Sequence, residues 1–451
     1  MKRIFILICF VFVTASIYAQ KQWTLEYCLR YAQDNNITIK KAFLNTEITK
    51  QNHFQSKMAL LPNLNASLFD NTNFGRNIDP VTNQITIDRV RNNNFSLSTS
   101  LTLFNGFQSI NNIKKNNFDY LSSKYDAEKI ANDISVNIVT AYLQLLYNTD
   151  LVEVSKQKVD VSELQVERIS KMVEVGSLPK GDLLNAESQK AQEELQLINA
   201  QNQRDIAKLN LMQLLDLSVS ESFEIVQLEF DVDENYSKVD NQVVYTIALE
   251  NLPDVKSAET KLKSSEHSLA ISQGARSPRL SLSASVGTLY SDANRRLVYD
   301  SSGAIPTLQD YPFEDQFNDN VSQAISLSLS IPIFNNWQAN LSISRAKVAV
   351  LQAQYSLQEA KNNLRKIIEQ AQNDARSAQK KYIASKKSVA YQKESFQYTQ
   401  NKYDLQLVNS YDYNNAKNTL FTAETDLLQS KYDYLFKTKM LDFYMGKPLT
   451  F

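Results

Sequence analysis

The sequence predicts an α+β chain, mainly α, in which long coiled helices recur as a tandem repeat and four alternating strands lie between them. Three observations carry this. The stretch from Leu103 to Leu217 returns without a gap as Ile333 to Lys447 at an offset of 230, through identical pairs such as Phe104/Phe334, Asn105/Asn335, Tyr125/Tyr355, Asp182/Asp412 and Leu197/Leu427. The breakers agree: Phe107 to Val175 and Trp337 to Leu405 hold no Gly and no Pro. Each can therefore run as one helix of roughly 100 Å at ~1.5 Å per residue. Between the helices, apolar and hydroxyl residues alternate with period two, the mark of strands with one polar face.

Composition narrows the function classes. The 451 residues carry 48 Lys+Arg against 49 Asp+Glu, so no basic field exists to attract nucleic acid. Only 8 Gly and 9 Pro occur, nearly all at segment ends. Lys2 and Arg3, the apolar run Ile4 to Val13, and Ile17-Tyr18-Ala19 before Gln20 read as an export signal over residues 1–19. Cys9 leaves with it, so Cys28 is the single mature cysteine and forms no intrachain disulfide, as suits a bacterial envelope or secreted protein. No later stretch reaches about 18 apolar residues, so membrane residence has to come from β-strands.

Taken in order, Thr24 to Leu60 reads as the first helix and Val243 to Gly274 as its repeat partner, at an offset of 216 seen in Asn35/Asn251, Lys40/Lys256 and Pro62/Pro278. The second copy thus gains 230 − 216 = 14 residues, between Pro278 and Ile333. After each proline the spacing switches to alternation: Leu64, Ala66, Leu68 in copy one; Leu280, Leu282, Ala284, Val286 with intervening serines in copy two. A second strand in each copy is clearer, with Phe95, Leu97, Thr99, Leu101, Leu103 and Ile325, Leu327, Leu329, Ile331, Ile333. Polar loops, Arg76 to Asn94 and Ser291 to Asn320, lie at one end of these strands, and Phe104, Phe107, Phe334 and Trp337 at the other. That is the pattern of the outer loops and interfacial aromatic girdle of an outer-membrane barrel; two soluble hairpins are the alternative. Four strands cannot close a barrel, so strands in a membrane must be shared between chains, eight in a dimer or twelve in a trimer.

The long helices carry narrow apolar stripes, Ile130, Ile134, Ile138, Ala141, Tyr142, Leu145, Leu146 and Leu364, Ile367, Ile368, Ala371, Ala375, Ala378, Tyr382, with polar remainders. This suits a coiled coil or a helical wall wet on both sides. A helical stalk or adhesin without a lumen is the competing class, and it has no use for the alternating strands. Each long helix ends in a short turn. In copy one the turn is Val175-Gly176-Ser177-Leu178-Pro179-Lys180-Gly181-Asp182, with Asp182 as N-cap of a helix Leu183 to Leu217; in copy two it is Leu405-Gln406-Leu407-Val408-Asn409-Ser410-Tyr411-Asp412, without Gly or Pro.

This layout resembles the TolC-like outer-membrane efflux factor family over essentially the whole mature chain. The resemblance rests on the repeat order, on "LFNGFQSINNI" and "IFNNWQANLSI" at the strand-to-helix junctions, on "NLPDVKSAE", and on the tips "VGSLPKGDLLNAES" and "YDLQLVNSYDYNNAKNTL". It implies residues 20–217 and 243–447 as the repeats, 218–242 as an equatorial connector and 448–451 as a tail. It further implies a homotrimer without cofactor or metal: a twelve-stranded barrel among outer-membrane lipid, continued by a twelve-helix α-barrel in the periplasm. The far tip is closed until a periplasmic adaptor (membrane fusion) protein and an inner-membrane pump dock. By the same resemblance Asp412 falls on a constriction-lining aspartate, and Asn415 stands where better-known members have a second acid, which implies a weaker acidic gate. Tyr403 and Asp182 match positions that bond between tip helices in the closed state, with Asp182 as a plain helix cap the alternative. The arginine often found near the second tip is Val408. Gly176, Ser177, Leu178, Pro179, Lys180 and Gly181, with Gln406, Leu407, Val408, Asn409 and Ser410, are expected to choose the docking partner. An enzyme is not expected: the two histidines, His53 and His267, sit at nearly equivalent repeat positions in helices, as surface or helix-packing groups, and no phosphate-binding, dinucleotide or nucleophile-elbow motif occurs.

Overall fold

The computed structural model describes residues 23–78, 83, 85–86, 89–218, 223–226, 240–299, 303 and 306–449. The export signal, most of the connector 218–242 and the end of the tail lie outside the described residues. Copy one runs α1 (Leu25–Asn35), α2 (Ile37–Met58), β1 (Asn63–Asn73), β2 (Asn77–Ile78), β3 (Ile85–Thr86), β4 (Val90–Phe104), α3 (Gln108–Glu174) and α4 (Lys180–Leu214). Copy two runs α5 (Asn241–Asn251), α6 (Pro253–Gly274), β5 (Arg279–Ser291), β6 (Arg295–Tyr299), β7 (Pro306–Asp310), α7 (Phe313–Asp319), β8 (Ser322–Ser330), α8 (Gln338–Asp404) and α9 (Ser410–Tyr444). The repeat holds to the residue: α1 and α2 map onto α5 and α6 at +216, and α3 and α4 onto α8 and α9 at +230, with lengths of 11, 22, 67 and 35 residues in both copies.

The first helix of each copy is broken where the sequence reads as continuous. In copy one Asn36 is extended (φ −60°, ψ 124°). Its Oδ1 accepts from the backbone of Thr38 (2.9 Å) and Ile39 (3.1 Å), and its Nδ2 donates to Leu214 O (2.9 Å). Capping of α2 therefore outweighs helical continuity. In copy two Pro253 enforces the same break, because a proline drives the preceding residue, Leu252, out of the helical region and itself fits the first helical position. The two polar loops also differ from plain connections. They contain the β2–β3 and β6–β7 hairpins and the helix α7, and β4 already begins at Val90. Asn92, Asn93 and Asn94 continue the ladder against Asn71, Asp70 and Phe69, so residues that read as turn formers are strand residues here.

The chain forms two compact units. One comprises Met1–Thr46, Ser123–Ser257 and Leu357–Phe451 and is helical. Its main core gathers Trp23, Leu25, Cys28, Ile138, Tyr142, Leu146, Leu211, Leu215 and Phe223, and a second cluster holds Val244, Ala248, Val255, Leu364, Ile368 and Leu441. Most of both stripes is thus inward, but Ile367 is 44% exposed. Burial pushes the Cys28 thiol up to about 12, which makes it an apolar filler and not a reactive group.

The other unit comprises Glu47–Ser122 and Ala258–Ser356 and is built on a four-stranded antiparallel sheet in the order β1-β4-β5-β8. Pairing fixes the faces. Leu68, Phe95 and Thr288 lie opposite one another, as do Ala66, Leu97 and Val286, and Leu101, Leu282 and Leu327; one face is therefore apolar. The other carries Asn63, Ser98, Ser100, Ser283, Ser326 and their neighbours.

At the base of this sheet the backbones of Gly106 and Gly274 cross. A Cβ on Gly106 would sit 2.5 Å from Gly274 O, and one on Gly274 would run into Gly106 O. Helix propensity alone favours alanine at Gly274 by ~1 kcal/mol, yet the clash is with backbone that cannot rotate away. Gly274→Ala is therefore expected to destabilise by about 1–3 kcal/mol, the cost of overpacking, in thermal unfolding followed by circular dichroism. A gain in stability would show that the crossing is looser than the geometry says.

Candidate functional site

The two tip turns have one conformation despite unlike sequences. Gly176 has φ +73° and Gln406, its repeat partner, φ +56°. Ser177 N donates to Met172 O and Leu407 N to Lys402 O, both at 2.8 Å, closing each helix in the same left-handed cap. Gln406 holds without glycine a backbone that costs an L-residue roughly 1–2 kcal/mol. Gly176, Ser177, Pro179, Lys180, Gly181, Gln406, Leu407 and Asn409 are exposed, while Leu178, Val408 and Ser410 are half-buried. Leu178 and Val408 are repeat equivalents and face one small cavity of about 260 Å³, shared with Arg168, Met172, Asp182 and Tyr403.

The expected cap at Asp182 is corrected by the structure. α4 begins at Lys180 behind Pro179, with no side-chain cap, and Asp182 lies in the first turn, where its charge meets the positive helix end. In copy two Asn409 does cap, its Oδ1 accepting from Asp412 N at 2.9 Å. Among the described residues the Tyr403 hydroxyl accepts from Gln165 Nε2 (2.8 Å) and makes no bond to Asp182. The ring stacks on Tyr413 at 4.8 Å. Burial pushes the Tyr403 phenol up, and pushes Tyr413 up to about 12. Beside them Arg168 forms an ion pair with Asp404 and so ties α3 to α8. Asp412 and Asn415 are both exposed and share one face of α9, three residues apart.

Farther along the same helices lies a buried charged cluster that the sequence reading did not single out. Glu193 on α4 is 1% exposed. It accepts from Lys417 Nζ of α9 (2.8 Å), from Gln189 Nε2 (2.9 Å) and from the Ser162 hydroxyl of α3. Lys158 of α3 stands 4.0 Å from the same carboxylate, donates to Gln196 Oε1 (3.2 Å) and lies 4.1 Å over the Phe421 ring. Burial, reinforced by Lys417, holds the Lys158 ammonium below the ordinary lysine range against the pull of Glu193. The signal was present in the spacing. The buried positions Ala186, Glu193, Ala200 and Ala207 of α4 recur every seven residues, and an acid in a seam of alanines needs a partner.

The junction aromatics are all at the surface: Phe107, Phe334 and Trp337 are 61%, 76% and 67% exposed, and Phe104 packs edge-on to Phe107 at 5.5 Å. Each junction is made of two successive left-handed residues, Gly106-Phe107 and Asn336-Trp337. The histidines are helix-packing groups. His53 Nδ1 meets Ile113 O at 3.2 Å, and His267 Nδ1 meets Asn111 Oδ1 at 3.0 Å while stacking on Phe118. Burial and then Lys114 lower the His267 pKa, keeping it neutral. Among the described residues no group of three His, Cys, Asp or Glu could hold a metal, and no helix is long and apolar enough to cross a membrane.

The helices recur as two copies, and the sheet has one apolar face. The chain belongs to the outer membrane efflux protein family, whose profile matches residues 28–216 and 244–447. It is an efflux channel of the Gram-negative outer membrane, with its helices in the periplasm, and not an enzyme. It is 19% identical over 410 residues to the outer membrane efflux protein BepC of Brucella suis biovar 1, covering 91% of this chain and 82% of that one. It is 23% identical over 354 residues to toxin and drug export protein A of Aggregatibacter actinomycetemcomitans, covering 75% and 69%. The outer membrane protein VceC of Vibrio cholerae has the same fold, with a TM-score of 0.77 at 14% identity over 94% of this chain and 96% of that one.

Proposed function

We propose that three copies join β8 of one chain to β1 of the next, closing a twelve-stranded barrel in the outer membrane that opens into a helix-walled periplasmic tunnel. The observation that carries this is the sheet: β1 and β8 are its edges, its apolar face is exposed and its opposite face is lined with serine. Open edges are not tolerated in hydrocarbon, and four strands are too few to close alone. The apolar face then meets lipid, the serine face water, and Phe104, Phe107, Phe334 and Trp337 the inner interface.

The conduit is passive and serves a tripartite efflux or type I secretion system. Its periplasmic tip is the gate, opened when a periplasmic adaptor and an inner-membrane pump dock. Tyr403 and Asp182, held in one cavity with Arg168, belong to the closed tip, and the exposed turns 176–181 and 406–410 select the partner. Asp412 and Asn415 line the constriction, where a ring of three carboxylates favours cations. The test is reversal potential in planar bilayers under a salt gradient. Wild type is expected to prefer cations and Asp412→Asn to lose most of that preference. An unaltered preference would remove Asp412 from the constriction.

A further inference from the structure

α7 lies within the stretch in which copy two gains fourteen residues, and it lies on a particular side of the sheet. Phe317 packs on Phe95 at 5.3 Å, and Phe313 meets Phe95 at 6.1 Å and Tyr290 at 5.1 Å. Thr288 Oγ1 donates to Phe317 O at 2.7 Å. Phe95 and Thr288 are opposite one another in the ladder and belong to the apolar face with Leu68, Leu97 and Val286. With Phe317 and Val321 these residues line a concavity of about 480 Å³ on that face. The helix is bolted in place through Gln316, which is fully buried, donates to Ser291 O (3.0 Å) and Tyr311 O (2.7 Å), and accepts from Ser291 N (3.1 Å). Two of its three acids are partnered, Asp315 with Arg296 and Asp319 with the Tyr311 hydroxyl, and Glu314 is exposed. Phe313 and Phe317 remain 47% and 37% exposed.

Depth follows from the register. From Leu280 to Thr288 the apolar side of β5 runs over eight residue steps. At ~3.3 Å per residue and a tilt of ~40° that is roughly 20 Å along the membrane normal, close to the ~25 Å apolar band of an outer-membrane barrel. α7 therefore stands at the outer boundary of the band, where aromatic side chains settle between acyl chains and headgroups.

We propose that α7 is an interfacial foot. It folds outward over the lipid side of the barrel, with Phe313 and Phe317 among the outer-leaflet acyl chains at their headgroup boundary, and not inward over the lumen. Copy one has no counterpart among the described residues. The proposal rests on the barrel reading above, which places the apolar face in lipid.

The test uses the full chain in phosphatidylcholine/phosphatidylglycerol liposomes, with a nitroxide attached at Phe313→Cys and power saturation by oxygen and by a water-soluble nickel chelate. Cys28 is buried and its thiol is pushed up to about 12, so it stays unlabelled. Leu327→Cys on the apolar face and Ser283→Cys on the serine face are the references. Oxygen-dominated relaxation at 313 and 327 with nickel-dominated relaxation at 283 is the expected result. Nickel-dominated relaxation at 313 with 327 still oxygen-dominated would overturn the foot and leave the barrel standing. Nickel-dominated relaxation at 327 would overturn both. Asn318→Cys, exposed on the same helix, keeps both phenylalanines and guards against detachment of α7 by the first variant; its oxygen-to-nickel ratio should fall between the two references, and a ratio equal to that at 283 would again overturn the foot.

Discussion

Glu193→Ala is expected to cost about 3–5 kcal/mol of stability, the usual loss when one partner is taken from a buried ion pair. The residue is 1% exposed and faces two lysines, so its removal strands Lys158 and Lys417 together in the helical core. Chemical unfolding followed by circular dichroism measures the loss. Lys190→Ala is the control, because its pairs with Glu163 and Glu194 are at the surface and each is worth about 0–1 kcal/mol. The pH dependence has a definite sign. Lys158 is already held below the ordinary lysine value of about 10.4 by burial, so between its folded and unfolded values the unfolded chain binds more protons and stability rises with pH. Loss of the carboxylate lowers the folded value further, so Glu193→Ala should recover stability as pH rises toward about 10. A variant as stable as wild type at neutral pH would show that the cluster is wet and weak.

Arg168→Ala is expected to act on opening and hardly on folding. The Arg168 and Asp404 side chains are 38% and 43% exposed, so the pair contributes about 0.2–1 kcal/mol per chain. If the trimer opens in concert the three copies add, and the open-to-closed ratio rises roughly 3- to 150-fold at 1.4 kcal/mol per decade. Single-channel recording reads this as more open time, with an unfolding midpoint within error of wild type. The two contacts differ in kind: the buried Glu193 cluster ties α9 to α3 and α4 inside the core, whereas Arg168–Asp404 is a weak surface pair. Unchanged open probability in Arg168→Ala would take the pair out of the gate.

The large architecture was legible because a duplicated sequence reports its own boundaries. Both helix pairs fall at the expected offsets to the residue, and the alternation of Leu97 or Leu327 with serine named the two faces of the sheet before any pairing was known. Three features were hidden, each for a physical reason. The break at Asn36 combines a local cap of α2 with a side-chain bond to Leu214, remote in sequence. Asp182 has the right type for a cap, but Pro179 already begins the helix. The polar residues of α7 hid a helix because only Gln316 of its seven residues is buried, too short a pattern for any period to show. At the tip, the family resemblance implied a bond between Tyr403 and Asp182, but the hydroxyl's partner is Gln165, 238 residues away.

The most direct measurement is electron cryo-microscopy of the protein extracted in detergent, at a resolution that traces strands. The account predicts a hollow threefold particle in which β8 of each chain pairs antiparallel with β1 of its neighbour, the serine face lines the bore and the 176–181 and 406–410 turns gather at the far end. A solid bundle, a monomer stable without detergent, or a closed barrel of any number of strands other than twelve would contradict it.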